Sequence, residues 1–132
     1  MDKKIYSREL ILETLEDTIR FANCLGKFIQ KGSVLGFKGD LGSGKTTIIR
    51  NLIHLMTNNQ NIIVQSPTFI LFNIYEANNY KFYHFDLYRI EKKEELEEIG
   101  FYDFIDDKDA IICIEWFEKI EEIFQKSALI ID

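Results

Sequence analysis

Gly39-Asp-Leu-Gly-Ser-Gly-Lys45-Thr46 is an unbroken G-x-x-x-x-G-K-[ST] pattern, the stretch of this chain with the clearest chemistry. Glycines at this spacing let successive backbone N–H groups turn inward on a phosphate with no side chain in the way. Lys45 brings a point charge for the outer phosphates, and the Thr46 hydroxyl is a ligand for Mg²⁺. A helix opening at Lys45 points its positive end at the same anion. With the amides of Gly42, Ser43, Gly44 and Thr47 completing the cradle, the pattern implies a nucleoside triphosphate site. The plain competitor is an accidental glycine-rich turn.

Such a cradle also needs a carboxylate for the metal, supplied from a strand end. Asp86 and Glu115 each close a strand-like run, Tyr80–Asp86 and Ala110–Glu115. A charge directly after Ala-Ile-Ile-Cys-Ile belongs at the carboxyl edge of a sheet, where α/β proteins bind ligands. The residues alone leave open which acid serves the metal and which orients an attacking water; each also reads as an ordinary surface acid. In Ser66-Pro-Thr-Phe69, Pro67 fixes the backbone so that Thr68 can present its hydroxyl to a γ-phosphate or metal, against the simpler reading of a Ser-Pro turn. His84 shares a strand face with Asp86. With no second ligand beside it, it reads as a packed or hydrogen-bonded histidine. Trp116 reads as an amphipathic cover beside Glu115, Cys113 as core, and Cys24 as a helix residue without assignable role.

The elements that must position these residues follow from periodicity. Arg8–Glu13 reads as a short first strand. Thr14 with Asp17 has capping-box spacing, and apolar residues every three to four positions predict a helix to about Gln30, closed by Gly32. Ser33–Lys38 reads as a buried parallel strand, Lys45 to about Met56 as a helix, and Asn58–Asn61 as a loop. Phe69–Tyr75 and Tyr80–Asp86, joined by Glu76–Asn79, predict an antiparallel hairpin whose many Phe and Tyr residues pack both sheet faces. Glu94–Ile99 is a short helix ended by Gly100, and Ala110–Glu115 and Ser127–Ile131 are the last strands. The expected fold is α/β: a P-loop NTPase-like single domain over residues 1–132, with a mixed, mostly parallel central sheet, an antiparallel hairpin and flanking helices.

Composition narrows the class. At 132 residues and 46% hydrophobic the chain can fill one core, and wholesale disorder is excluded. No apolar run approaches the roughly 20 residues needed to cross a bilayer, and Met1-Asp-Lys-Lys4 leads into no signal-peptide core, so a cytoplasmic protein is expected. Two distant cysteines exclude a disulfide framework and a cysteine zinc site. Residues 1–85 hold ten Lys/Arg and seven Asp/Glu, whereas residues 86–132 hold six and fifteen. That acidic half reads as a solvated face or as a docking surface for a basic partner, and argues against wrapping nucleic acid directly.

Taken together, Gly39–Thr47, Ser66-Pro-Thr-Phe69, His84-Phe-Asp-Leu-Tyr-Arg89, Glu94-Glu-Leu-Glu-Glu-Ile-Gly100 and Ile114-Glu-Trp116 resemble the TsaE (YjeE) family, the ATPase of bacterial tRNA threonylcarbamoyladenosine synthesis. The resemblance spans about residues 10–116. It implies ATP and Mg²⁺ as cofactors, Thr46 as metal ligand, Thr68 as a switch-like threonine, Asp86 as a Walker-B-like aspartate and Glu115 as a second metal-associated carboxylate. Thr18 looks like the family's early threonine near the nucleotide. The implied partner is the TsaB–TsaD pair, with tRNA reached only through that complex, no membrane, and feeble hydrolysis by the chain alone. Two departures stand out. Relatives usually continue beyond the strand at 127–131, so a shorter sheet edge is expected here, and Phe117 replaces a common proline, so the loop after Trp116 is expected to be partly helical.

Two other classes compete. A nucleotide-responsive binding module would bind ATP with hydrolysis incidental. A small-molecule kinase would need an Arg-rich lid, yet after Arg50 only Arg89 remains.

Overall fold

The computed structural model describes residues 13–39, 44–65, 67 and 71–132. Its strands are β1 (Val34–Phe37), β2 (Phe72–Ala77), β3 (Tyr80–Asp86), β4 (Ala110–Glu115) and β5 (Leu129–Ile131). They form one sheet in the order β2-β3-β4-β1-β5, parallel throughout except for β2, which pairs antiparallel with β3. β1 and β4 are buried along their whole length, which is why they read as unbroken apolar runs rather than alternating ones.

Two layers of helix cover this sheet. α1 (Leu15–Gly26) and α2 (Lys45–Thr57) lie on one face, where Leu25, Ile49 and Leu52 pack with Leu35, Phe37, Phe82, Ile111 and Cys113. On the other face α3 (Glu94–Glu98), α4 (Phe101–Ile105) and the segment 117–124 bury Tyr83, Phe85, Ile112 and Ile114. The period of two therefore puts residues 82, 84 and 86 of β3 and 111, 113 and 115 of β4 on the α2 side. Register aligns His84 with Cys113 and Asp86 with Glu115, and Glu115 is also level with Phe37 of β1. The carboxyl ends of three adjacent strands thus meet where α2 begins.

Local chemistry explains the boundaries, including those that differ from expectation. The Thr14–Asp17 capping box forms in both directions and starts α1. The helix ends at Gly26 rather than near Gln30: glycine is a poor helix former, and Ile29 leaves the helical path to bury itself with 8% exposure. Gly32 does not close that helix; with φ 92° it turns the chain into β1, its amide donating to the Ala110 carbonyl. The hairpin turn is Asn78-Asn79, both left-handed, as a two-residue type I′ turn requires. β2 begins at Phe72, because Leu71 at φ 72° breaks the extended path. α4 follows directly on the left-handed Gly100, which the sequence reading took only as the end of the preceding helix. Residues 8–12 of the expected first strand lie outside the described residues, and Glu13 is in no strand. Among the described residues, no helix is long and apolar enough to cross a membrane.

At the amino end of the sheet, Asp107 accepts from Lys81 Nζ at 2.8 Å, from the Tyr83 hydroxyl at 2.7 Å and from the Asp109 amide at 3.0 Å. Those donors, Lys81 first, pull the Asp107 carboxyl down to about 2. Since its folded-state value lies below the unfolded one, its stabilisation is complete above about pH 4 and disappears as pH falls through about 2. Asp107→Asn is therefore expected to be less stable than the parent chain at pH 5–7, with the gap closing by pH 2. Thermal melts across that range measure it, and a gap that is constant with pH would contradict the assignment.

Candidate functional site

α2 begins without a side-chain cap and without an acid in its first turn; its N-cap, Gly44, is left-handed at φ 86°. A helix start of this kind, carrying Lys45 and two threonines where acids usually sit, leaves its amides and dipole to be met by an external anion. Lys45 is 9% exposed, and its ammonium lies against the entry of the loop, where a Cβ at Gly39 would come within 2.8 Å of Nζ. Gly39 has φ 109° and its amide donates to Glu118 Oε2 at 2.9 Å. Asp40, Leu41, Gly42 and Ser43 lie outside the described residues, as do Ser66, Thr68, Phe69 and Ile70.

Glu115 is the centre of the arrangement. Its side chain ends β4, only 4% of the residue is exposed, and it accepts from the Thr46 hydroxyl at 3.2 and 3.4 Å and from His84 Nε2 at 2.6 Å. The sequence left Asp86 and Glu115 unranked, and it is Glu115 that receives the Thr46 hydroxyl. Asp86, fully buried, is level with Glu115 on β3; its Oδ1 accepts from the Tyr88 amide at 2.9 Å, and its own amide donates to the Leu71 carbonyl. Leu71 in turn donates to the Pro67 carbonyl. Thr47 is held in α2, its carbonyl accepting from Asn51. Thr18 is not joined to this cluster: its hydroxyl donates to the Thr14 carbonyl within α1.

Two turns carry the acids, and they are stitched together. Trp116 follows Glu115 at φ 61°, a left-handed conformation that costs a bulky residue roughly 1–3 kcal/mol. That bend throws the chain off the sheet edge and packs the indole at a tilt against Tyr88, ring centroids 5.3 Å apart. Lys119 Nζ sits about 6 Å from both rings and donates to the carbonyls of Tyr88 and Ile90. Phe117–Lys119 is a 3₁₀ turn, matching the partly helical loop expected there, and Trp116 is a half-buried cover beside Glu115. Burial raises the Cys113 thiol far above its ordinary value, the nearby Glu115 charge adding to the effect, so Cys113 is a core residue. Cys24 is exposed on α1.

The donor set suits Mg²⁺: a hydroxyl and two carboxylates are hard oxygens, and this ion keeps waters and phosphate oxygens as its remaining ligands. Among the described residues no group of three or more His, Cys, Asp or Glu forms a closed metal cage, and Mg²⁺ bound with a nucleotide does not require one. The 84–115 contact is invisible to reasoning along one strand. His84 was placed beside Asp86 by spacing, and only the β3–β4 register carries its ring across to Glu115.

A central parallel strand that runs through a glycine-rich turn into an uncapped helix, with acids at neighbouring strand ends, defines the P-loop class of α/β fold. Within that class the chain belongs to the TsaE family: the family described as threonylcarbamoyl adenosine biosynthesis protein TsaE matches residues 12–132. It is similar to the tRNA threonylcarbamoyladenosine biosynthesis protein TsaE of Rickettsia felis, 39% identical over 115 residues that cover 86% of this chain and 65% of that one. The Aquifex aeolicus protein of the same name is 35% identical over 112 residues, covering 85% and 78%. The crystal structure of Bacillus subtilis YdiB superposes with a TM-score of 0.65 at 28% identity, over 90% of this chain and 70% of that one. The chain thus spans about two thirds of the length of the Rickettsia felis relative.

Proposed function

We propose that this chain is a single-domain, cytoplasmic Mg²⁺-dependent ATPase that serves tRNA threonylcarbamoyladenosine biosynthesis together with the TsaB–TsaD pair. The observation that carries the reading is the Thr46–Glu115 hydrogen bond, which ties the end of the phosphate-loop pattern to an acid on the adjacent strand. Lys45 and the amides that open α2 hold the triphosphate, with Gly42, Ser43 and Gly44 of the loop. Thr46 supplies a metal ligand, and Glu115 and Asp86 orient water around it; the family resemblance gives Thr68 the switch-like role at the γ-phosphate. When bound, Mg²⁺ neutralises charge on the phosphate oxygens. Thr18 sits near the nucleotide only by family resemblance.

Weak turnover by the chain alone is the expected behaviour, with a partner completing the site. Binding of labelled ATP and release of phosphate, with and without TsaB–TsaD, test the proposal. Saturable Mg²⁺-dependent binding, slow hydrolysis alone and faster hydrolysis with the pair are expected. Hydrolysis that is fast alone and indifferent to the pair would overturn the partner's role, and no saturable binding would overturn the whole reading.

A further inference from the structure

His84 has no task in the function proposed above, and packing does not explain it. The ring is fully buried on the sheet face that also holds Phe82, Cys113 and Ile111, an apolar setting that by itself calls for no imidazole. Instead the site holds an imidazole whose Nδ1 has no hydrogen-bond partner among the described residues. A buried polar atom left unpaired destabilises the fold, so what the ring contributes lies with its other nitrogen.

That nitrogen makes a short contact with Glu115. A carboxylate only accepts, so Nε2 carries the proton and donates to Glu115 Oε2 at 2.6 Å. Among the described residues, the other side-chain hold on Glu115 is the Thr46 hydroxyl, shared between both oxygens at 3.2 and 3.4 Å. One long, divided hydrogen bond from a side chain that must also serve the metal is a poor anchor for a carboxylate. The register puts the His84 ring diagonal to Glu115, two positions along β4, within reach of a long side chain.

We infer that His84 is a positioning residue: its Nε2–H fixes the Glu115 carboxylate so that the free edges of that carboxylate face the nucleotide and metal. The inference rests on the ATPase reading for its functional consequence, but the contact itself is testable without hydrolysis. The chain has two histidines, and His54, bonded to the Ile62 carbonyl at 2.7 Å, serves as an internal reference. In ¹⁵N-imidazole spectra of the full chain, Glu115→Gln and addition of Mg²⁺ with ADP are each expected to shift the His84 signals and leave those of His54 in place. His84→Leu is expected to lower kcat about tenfold, with KM for MgATP changed less than threefold, and His84→Gln, whose amide N–H reaches the place of Nε2, to restore most of it. His84 signals that ignore both perturbations, or a His84→Leu chain with undiminished kcat, would overturn the inference. Should His84→Leu not fold, the spectra and His84→Gln decide: a Gln variant as slow as a Glu115 variant would also overturn it. A parent chain that neither binds nor hydrolyses MgATP would sink the ATPase reading alone, since the Glu115→Gln shift at His84 still reports the contact.

Discussion

Glu115→Gln is expected to slow ATP hydrolysis by about a hundredfold to a thousandfold while leaving MgATP affinity within a few-fold of the parent. The two effects separate because different groups carry them. On the proposed reading, affinity for the triphosphate comes mainly from Lys45 and the amides that open α2, and the substitution replaces none of these groups. Glutamine keeps the volume of Glu115 and one oxygen to accept from His84, so the end of β4 retains its shape. What is lost is the negative charge beside Thr46 and the second acceptor oxygen, which is what polarising a metal-bound or attacking water requires. Equilibrium binding of a fluorescent ATP analogue with single-turnover hydrolysis measures the two quantities apart. Asp86→Asn is the companion experiment: Asp86 Oδ1 already accepts from the Tyr88 amide, so that variant also loosens the turn after β3. Unchanged kcat in Glu115→Gln would remove this residue from the chemistry and leave ATP as a conformational ligand only, the binding-module alternative.

How far the sequence foretold this site depended on the range of each interaction. The capping box of α1, the apolar run of β4 and the hairpin of β2 and β3 are local, each signalled within about eight residues, and each was legible, although the turn is two residues rather than the expected four. Asp86 and Glu115 were legible as acids at strand ends, because the apolar runs directly before them fix the sheet edge. The contacts that rank them were not. Thr46 to Glu115 spans 69 positions and His84 to Glu115 spans 31, and both follow from the β1–β4–β3 order, which no spacing encodes. The Glu118 carboxylate on the Gly39 amide is 79 positions away and was missed for the same reason. Thr18 was named from family resemblance alone, and its hydroxyl bonds to the Thr14 carbonyl within its own helix.

Gly36 was read only as part of an apolar run, and its substitution should have the largest effect on stability. The ring of Phe117 lies directly on its Cα: a Cβ at Gly36 would stand 2.5, 2.7 and 2.9 Å from three ring atoms. Phe117 is itself 2% exposed and pinned edge-on against Phe124 at 5.2 Å, so it has nowhere to slide. β1 is equally fixed, hydrogen-bonded to β4 on one side and β5 on the other. Gly36→Ala is expected to cost about 3 kcal/mol, the upper end for overpacking a core, and Gly36→Val more, a large part of the roughly 5–15 kcal/mol available to a domain. Urea titration of both variants measures this. The strain should also reach the site, because Phe117 is two residues from Glu115 and opens the turn that carries Glu118 to the Gly39 amide. A double variant, Gly36→Ala with Phe117→Leu, isolates the cause: the two substitutions should be less damaging together than the sum of each alone, a coupling that distant sites do not show. Simple additivity, or a Gly36→Ala chain within about 0.5 kcal/mol of the parent, would mean that the ring yields and that β1 does not need its glycine.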